Sequence, residues 1–264
     1  MTLIFKKRSF CTIAAVFLFV AIVTSMPLAQ SQEFRFEKDI AAYEKKSQET
    51  PPPENCTMFV GSSTWRLWGD QLEKDFAEFK AVNRGFGGST IPEQLHVMHR
   101  IIFPHKPARI AFFCGGNDVA GGARAETTYN NFKIFLGRLW VDNPKTEVYF
   151  VSITSAPVRE KFHDETLKLN QLAKELADKT TGLYYVDTFS TLVGEDGRAK
   201  EEYFLKDRLH LNRDGQERWI PVIKKALQDA EKSRKDVSLE TLYKERVQLG
   251  LFEDTPENRE KMTK

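Results

Sequence analysis

The chain has 264 residues, 41% of them hydrophobic and 29% charged, and a formal net charge of +2. That is the composition of an ordinary globular protein able to bury the core of one generous domain, and there is no internal repeat or low-complexity segment. The near balance of 39 basic and 37 acidic residues gives no electrostatic ground for nucleic acid or an anionic membrane as partner.

The chain opens on the basic cluster Lys6, Lys7 and Arg8, followed by an uncharged apolar run from Thr12 to Met26. Ala29-Gln30-Ser31 then places small residues at the −3 and −1 positions of a cleavage site. This pattern reads residues 1–31 as a secretory signal peptide, because the apolar run is short for a membrane span. The product is then secreted or periplasmic; the alternative is an uncleaved N-terminal membrane anchor. Removal takes away three basic residues and no acidic one, so the net charge falls from +2 to −1. Residues 32–53 form a charged leader, helix-compatible from Glu33 to Thr50 and ended by Pro51-Pro52-Pro53.

Residues 54–231 alternate between apolar runs and helical periodicity. Strands are expected at Thr57–Gly61, Ala81–Gly85, Ala108–Cys114, Glu147–Ile153 and Leu183–Val186. Between them the spacing predicts one helix running on to about Phe79, then helices over Ile91–Ile102, Thr127–Val141 and Asp164–Thr180, with a last one over Arg213–Glu231. The α/β alternation argues for a parallel sheet between two helical layers, a three-layer α/β/α sandwich. Ligands of such sheets bind beyond the carboxyl ends of the strands. Residues 232–264 read as a helical extension docking through Leu242, Tyr243, Val247, Leu249, Leu251 and Phe252, or alternatively as a partner-binding tail.

Four short runs fall at that carboxyl edge. Gly61-Ser62-Ser63-Thr64 follows the first strand and can hold the Ser63 hydroxyl at a helix start, where backbone N–H groups favour negative charge. Asn83-Arg84-Gly85-Phe86-Gly87-Gly88-Ser89 follows the second strand, and its glycines let the backbone approach another group closely. Gly115-Gly116-Asn117-Asp118 follows the third and offers an amide donor for a developing oxyanion. Asp207-Arg208-Leu209-His210 comes after the fifth strand. Its spacing sets a carboxylate against the imidazole Nδ1–H and leaves Nε2 to take a proton. Among the five histidines only His210 has an Asp three residues before it. His96, His99 and His105 read as structural or exposed, and His163 as solvated. Each run alone is ordinary turn chemistry. Together they supply nucleophile, backbone donor, side-chain donor and acid–base pair, the roles of acyl transfer.

In these four blocks, and in their order, the chain resembles the SGNH hydrolases, also called GDSL esterases and lipases. It is similar to the platelet-activating-factor acetylhydrolase catalytic subunits and to bacterial single-domain acetylesterases. The resemblance covers about Met58 to Leu227. It implies Ser63 as nucleophile, Asp207 and His210 as its acid–base pair, an oxyanion hole of Ser63, Gly88 and Asn117, and a flavodoxin-like strand order 2-1-3-4-5. One departure is Ser62, where the family often has Asp. The expected activity is hydrolysis of a carboxylic ester of a small acyl group, an O-acetyl group on a carbohydrate being the favoured substrate. Alternatives are a lysophospholipase or thioesterase of the same family, or an inactive binding protein on this fold. No cofactor is needed, and no Cys/His cluster has metal-ligand spacing. Cys56 and Cys114 lie at opposite ends of parallel strands, too far apart to bridge, and are expected to be free. Trp65, Trp68 and Phe86 lie near the nucleophile in sequence and could stack on a sugar ring or belong to the core. No lid-like insertion interrupts the blocks.

Overall fold

The computed structural model describes residues 33–233 and 236–263. The signal segment expected over residues 1–31 lies outside them. Among the described residues no helix is long and apolar enough to cross a membrane.

The core is a five-stranded parallel sheet of order β2-β1-β3-β4-β5, as the sequence resemblance implied. Its strands are β1 (Thr57–Gly61), β2 (Ala81–Gly85), β3 (Arg109–Phe113), β4 (Glu147–Val151) and β5 (Leu183–Val186). All five residues of β1, β3 and β4 are buried, the signature of strands covered on both faces. Successive side chains alternate between the layers. Phe112 meets Phe132 and Phe135 of the helix Ala125–Asp142, while its neighbour Phe113 meets Trp65 and Trp219 from the opposite layer.

The helical elements are α1 (Glu37–Glu49), α2 (Ser63–Trp68), α3 (Asp70–Asp75), α4 (Ile91–Ile101), α5 (Gly116–Ala120), α6 (Ala125–Asp142), α7 (His163–Ala177), α8 (Arg213–Ser233), α9 (Leu239–Gln248) and α10 (Pro256–Thr263). The single helix expected after β1 is instead two short helices and a 3-10 turn. Gly69 sits between them at φ 61, a left-handed conformation that interrupts the α-helical ladder. Asp75 then ties this layer together: it accepts from Trp68 Nε1 at 2.8 Å and from Arg213 of α8 at 2.5 and 3.1 Å. Burial opposes its charge, but Arg213, Trp68 and Gln71 outweigh it and hold its pKa at about 2.

The leader helix is held against the β2 edge. Arg84 donates to Ser47 Oγ at 2.6 Å, Arg100 pairs with Glu44 at 2.6 Å, and the Tyr43 hydroxyl donates to the Gly85 carbonyl. At the other end of the chain, Arg246 of α9 lies over the Trp140 ring at 3.9 Å and donates to the Pro144 carbonyl at 2.8 Å. Leu242, Tyr243, Leu251 and Met262 are buried there. Cys56 and Cys114 are both free and buried.

Candidate active site

The site starts from a close approach of backbones. The β1 strand ends at Gly61 with φ 154, and a Cβ there would lie 2.1 Å from the Phe113 carbonyl oxygen, so only glycine permits this packing. Ser62 N donates to that same oxygen at 3.2 Å, and the chain turns into α2 with Ser63 as its first residue. Because α2 has only six residues, it contributes far less dipole than the longer helix the sequence suggested.

Ser63 Oγ lies 2.8 Å from His210 Nε2, across 147 residues of sequence. His210 Nδ1 lies 2.6 Å from Asp207 Oδ2, and the other carboxylate oxygen accepts the backbone N–H groups of Leu209 and His210 at 2.9 and 3.0 Å. Partial burial would raise the Asp207 pKa, but the N–H and ring of His210 and the N–H of Leu209 overcome it and hold the carboxyl at about 2. The loop turns at Arg208, whose φ of 56 is left-handed, and closes through a bond from Leu205 N to His210 O at 2.7 Å. Asn212 then receives Gly215 N at 3.0 Å at the start of α8, so the histidine loop is fixed directly to a long helix.

The two other blocks are joined to each other. Asn117, in α5, donates through Nδ2 to the Ser89 carbonyl at 2.9 Å, which ties the β3 loop to the β2 loop carrying Gly88. Gly88 has φ 82. Asp118 accepts Ile91 N through both oxygens, at 3.1 and 3.2 Å, capping α4; burial pushes its pKa up to about 6. The cavity at Ser63 is about 30 Å³, with Asn117, Ile153, Thr154, Arg159 and His210 also among its walls.

This arrangement has the parts for acyl transfer: a hydroxyl on an imidazole, an imidazole on a carboxylate, and an amide across the cavity. A model of the GDSL-like lipase/acylhydrolase family matches residues 53–218. The chain belongs to that family. It is a carboxylic ester hydrolase. Solved structures agree on the fold. A Streptococcus pneumonia protein named for platelet activating factor superposes with a TM-score of 0.62 at 24% identity, over 82% of this chain and 97% of that one. A GDSL-like lipase from Bacteroides thetaiotaomicron gives 0.60 at 23% identity, over 72% and 99%. A catalytic mutant of an acetylxylan esterase from Geobacillus stearothermophilus gives 0.52 at 12%, over 66% and 94%. Among curated proteins no match is found.

Three side chains of this acylhydrolase to which the sequence assigned no role, two of them outside every motif, also build the site. Gln94, fully buried on α4, donates to Gly61 O at 2.9 Å and to Ser89 Oγ at 2.8 Å, and Ser89 Oγ donates to Phe86 O at 2.9 Å. The pair holds the end of β1 against the Gly88 loop. Arg159, on a 3-10 segment Pro157–Phe162 absent from the sequence reading, donates to Asn117 Oδ1 at 2.7 Å. Of the two roles open to Trp65, Trp68 and Phe86, the structure shows the core one: they are 0, 3 and 0% exposed, so none offers a face to a sugar. One expectation is corrected. His163 is buried rather than solvated, beside Phe189 at the start of α7.

Proposed function

We propose that this protein is a secreted serine esterase that removes a small acyl group, an O-acetyl group on a carbohydrate, through an acyl-enzyme. His210, oriented by Asp207, takes the proton of Ser63 as Oγ attacks the ester carbonyl. The oxyanion is stabilised by the backbone N–H groups of Ser63 and Gly88 and by Asn117 Nδ2. His210 gives its proton to the leaving alcohol, and water repeats the sequence on the acyl-enzyme. The observation that carries the reading is the continuous contact from Ser63 Oγ through His210 to Asp207, at 2.8 and 2.6 Å.

Support for a small acyl group comes from the cavity. About 30 Å³ holds one or two water-sized groups, room that a methyl would fill. A series of p-nitrophenyl esters from C2 upward, run beside acetylated xylan and acetylated sugars, tests this. Activity should be highest at C2 and absent in Ser63→Ala. A preference for C8 or longer would point to a lysophospholipase, and no hydrolysis of any ester to a binding protein. N-terminal sequencing of the exported product checks cleavage after Ser31.

A further inference from the structure

We propose that Arg159 is a positioning residue that fixes the rotation of the Asn117 amide, turning its Nδ2 toward the oxyanion. The proposal rests on the acyl-transfer reading of Ser63. A guanidinium carries donors and no acceptor, so the atom of Asn117 that faces Arg159 Nη2 at 2.7 Å must be the amide oxygen. The flipped amide would set N–H against N–H. With the oxygen committed to Arg159, Nδ2 faces the other way, where one hydrogen goes to Ser89 O at 2.9 Å. The second hydrogen is then left for the charge that develops on the substrate carbonyl. A bond from a cation to the amide oxygen also polarises the amide and strengthens its N–H as a donor.

The arginine is held for this task. Its segment leaves helical geometry at Arg159 itself, with φ −108 and ψ 18. Arg159 N donates to Ala156 O at 2.7 Å, and Val158 N donates to Arg208 O at 3.2 Å, so the turn is bonded to the histidine loop. A Cβ on Gly116 would lie 3.4 Å from Arg159 Nη1, which places the guanidinium against the first turn of α5. Among the described residues no carboxylate lies within ion-pair distance of it; the adjacent Glu160 is engaged by Arg198. Desolvation alone lowers its pKa. A half-buried cation without a counter-ion is costly to keep, and here it sits beside the place where negative charge appears.

The test is a double-mutant cycle on p-nitrophenyl acetate hydrolysis with Arg159→Met and Asn117→Ala. Arg159→Met should lower kcat by about 10- to 100-fold, the scale of one hydrogen bond to a charged group, with KM little changed. In the Asn117→Ala background the same substitution should change kcat by less than about threefold, because there is no amide left to orient. Arg159→Lys, which keeps one charged donor, should recover part of the loss, and it replaces Arg159→Met in the cycle if the latter does not fold. Full kcat in Arg159→Met overturns the proposal. So does an equal loss in both backgrounds, which would mean that Arg159 acts on the substrate directly. Ser63→Ala separates the two readings: if it stays active, the acyl-transfer assignment fails; if it is inactive while Arg159→Met is fully active, only the positioning role fails.

Discussion

Replacing Asp207 by Asn alters one atom of the site, and its cost follows from which way the new amide must face. The Oδ1 position accepts two backbone N–H groups, so the asparagine oxygen stays there and its NH₂ turns to His210 Nδ1. An N–H cannot accept from Nδ1–H. The imidazole therefore adopts the other tautomer, with its proton on Nε2 facing Ser63, and cannot act as a base. In a buried triad this substitution lowers kcat roughly 10⁴-fold. The Asp207 side chain is 47% exposed, so water can compete for Nδ1 and restore a fraction of the productive tautomer. We expect a loss of roughly 10³-fold, about 4 kcal/mol in transition-state free energy. Asp207→Ala should lose less kcat than Asp207→Asn, because it leaves the tautomer free. It should lower Tm more, since Leu209 N and His210 N both lose their acceptor. Steady-state p-nitrophenyl acetate kinetics and thermal melts read both quantities. An Asp207→Asn enzyme within tenfold of wild-type kcat at unchanged Tm would refute the tautomer reasoning.

Asn117→Ala removes the proposed side-chain oxyanion donor and should lower kcat by about 10²–10³-fold, measured on the same ester. Gly137→Ala places a Cβ 2.1 Å from the Leu251 carbonyl oxygen and should force α6 away from the C-terminal segment. The expected cost is about 1–3 kcal/mol of stability with kcat preserved, read by denaturant titration, and an unchanged midpoint would count against that contact. Asp118 retains its proton in the folded protein to about pH 6 but in the unfolded chain only to its ordinary value near 3.8. The folded state thus binds more protons in that window, and stability falls as pH rises through it. Asp118→Asn should flatten this slope in melts taken between pH 4 and 7. Asp75 has the opposite sign: its folded pKa of about 2 gives stability present above about pH 4 and lost as pH falls toward 2, a dependence that Asp75→Asn should remove.

Much of this molecule is written locally. The bounds of β1, β2 and β5 match the sequence expectation: β1 and β5 are short apolar runs stopped by Gly61 and by the charged Asp187, while β2 carries Asn83 and Arg84 inside it and stops at Gly85. The runs that carry Ser63, Gly88, Asn117, Asp207 and His210, the residues of the proposed site, could be picked out locally too. Each sits in a short motif whose turn geometry is set by its own neighbours, and strand polarity puts all of those turns at one edge. What was not legible depends on partners far along the chain. His163 gave no sign of burial, because its surroundings come from α7 and the Phe189 turn. Gln94 and Arg159 belong to no motif and become important only when α4 and the Pro157–Phe162 segment are packed beside the strand ends. The sequence by itself determined the alternation that builds the parallel sheet, the acylhydrolase family and the runs proposed to carry its chemistry. The tertiary structure alone decided which tryptophans were core, where the helix after Ser63 broke, and which way the Asn117 amide faces, because burial and side-chain orientation are set by contacts between elements, and no local pattern encodes them.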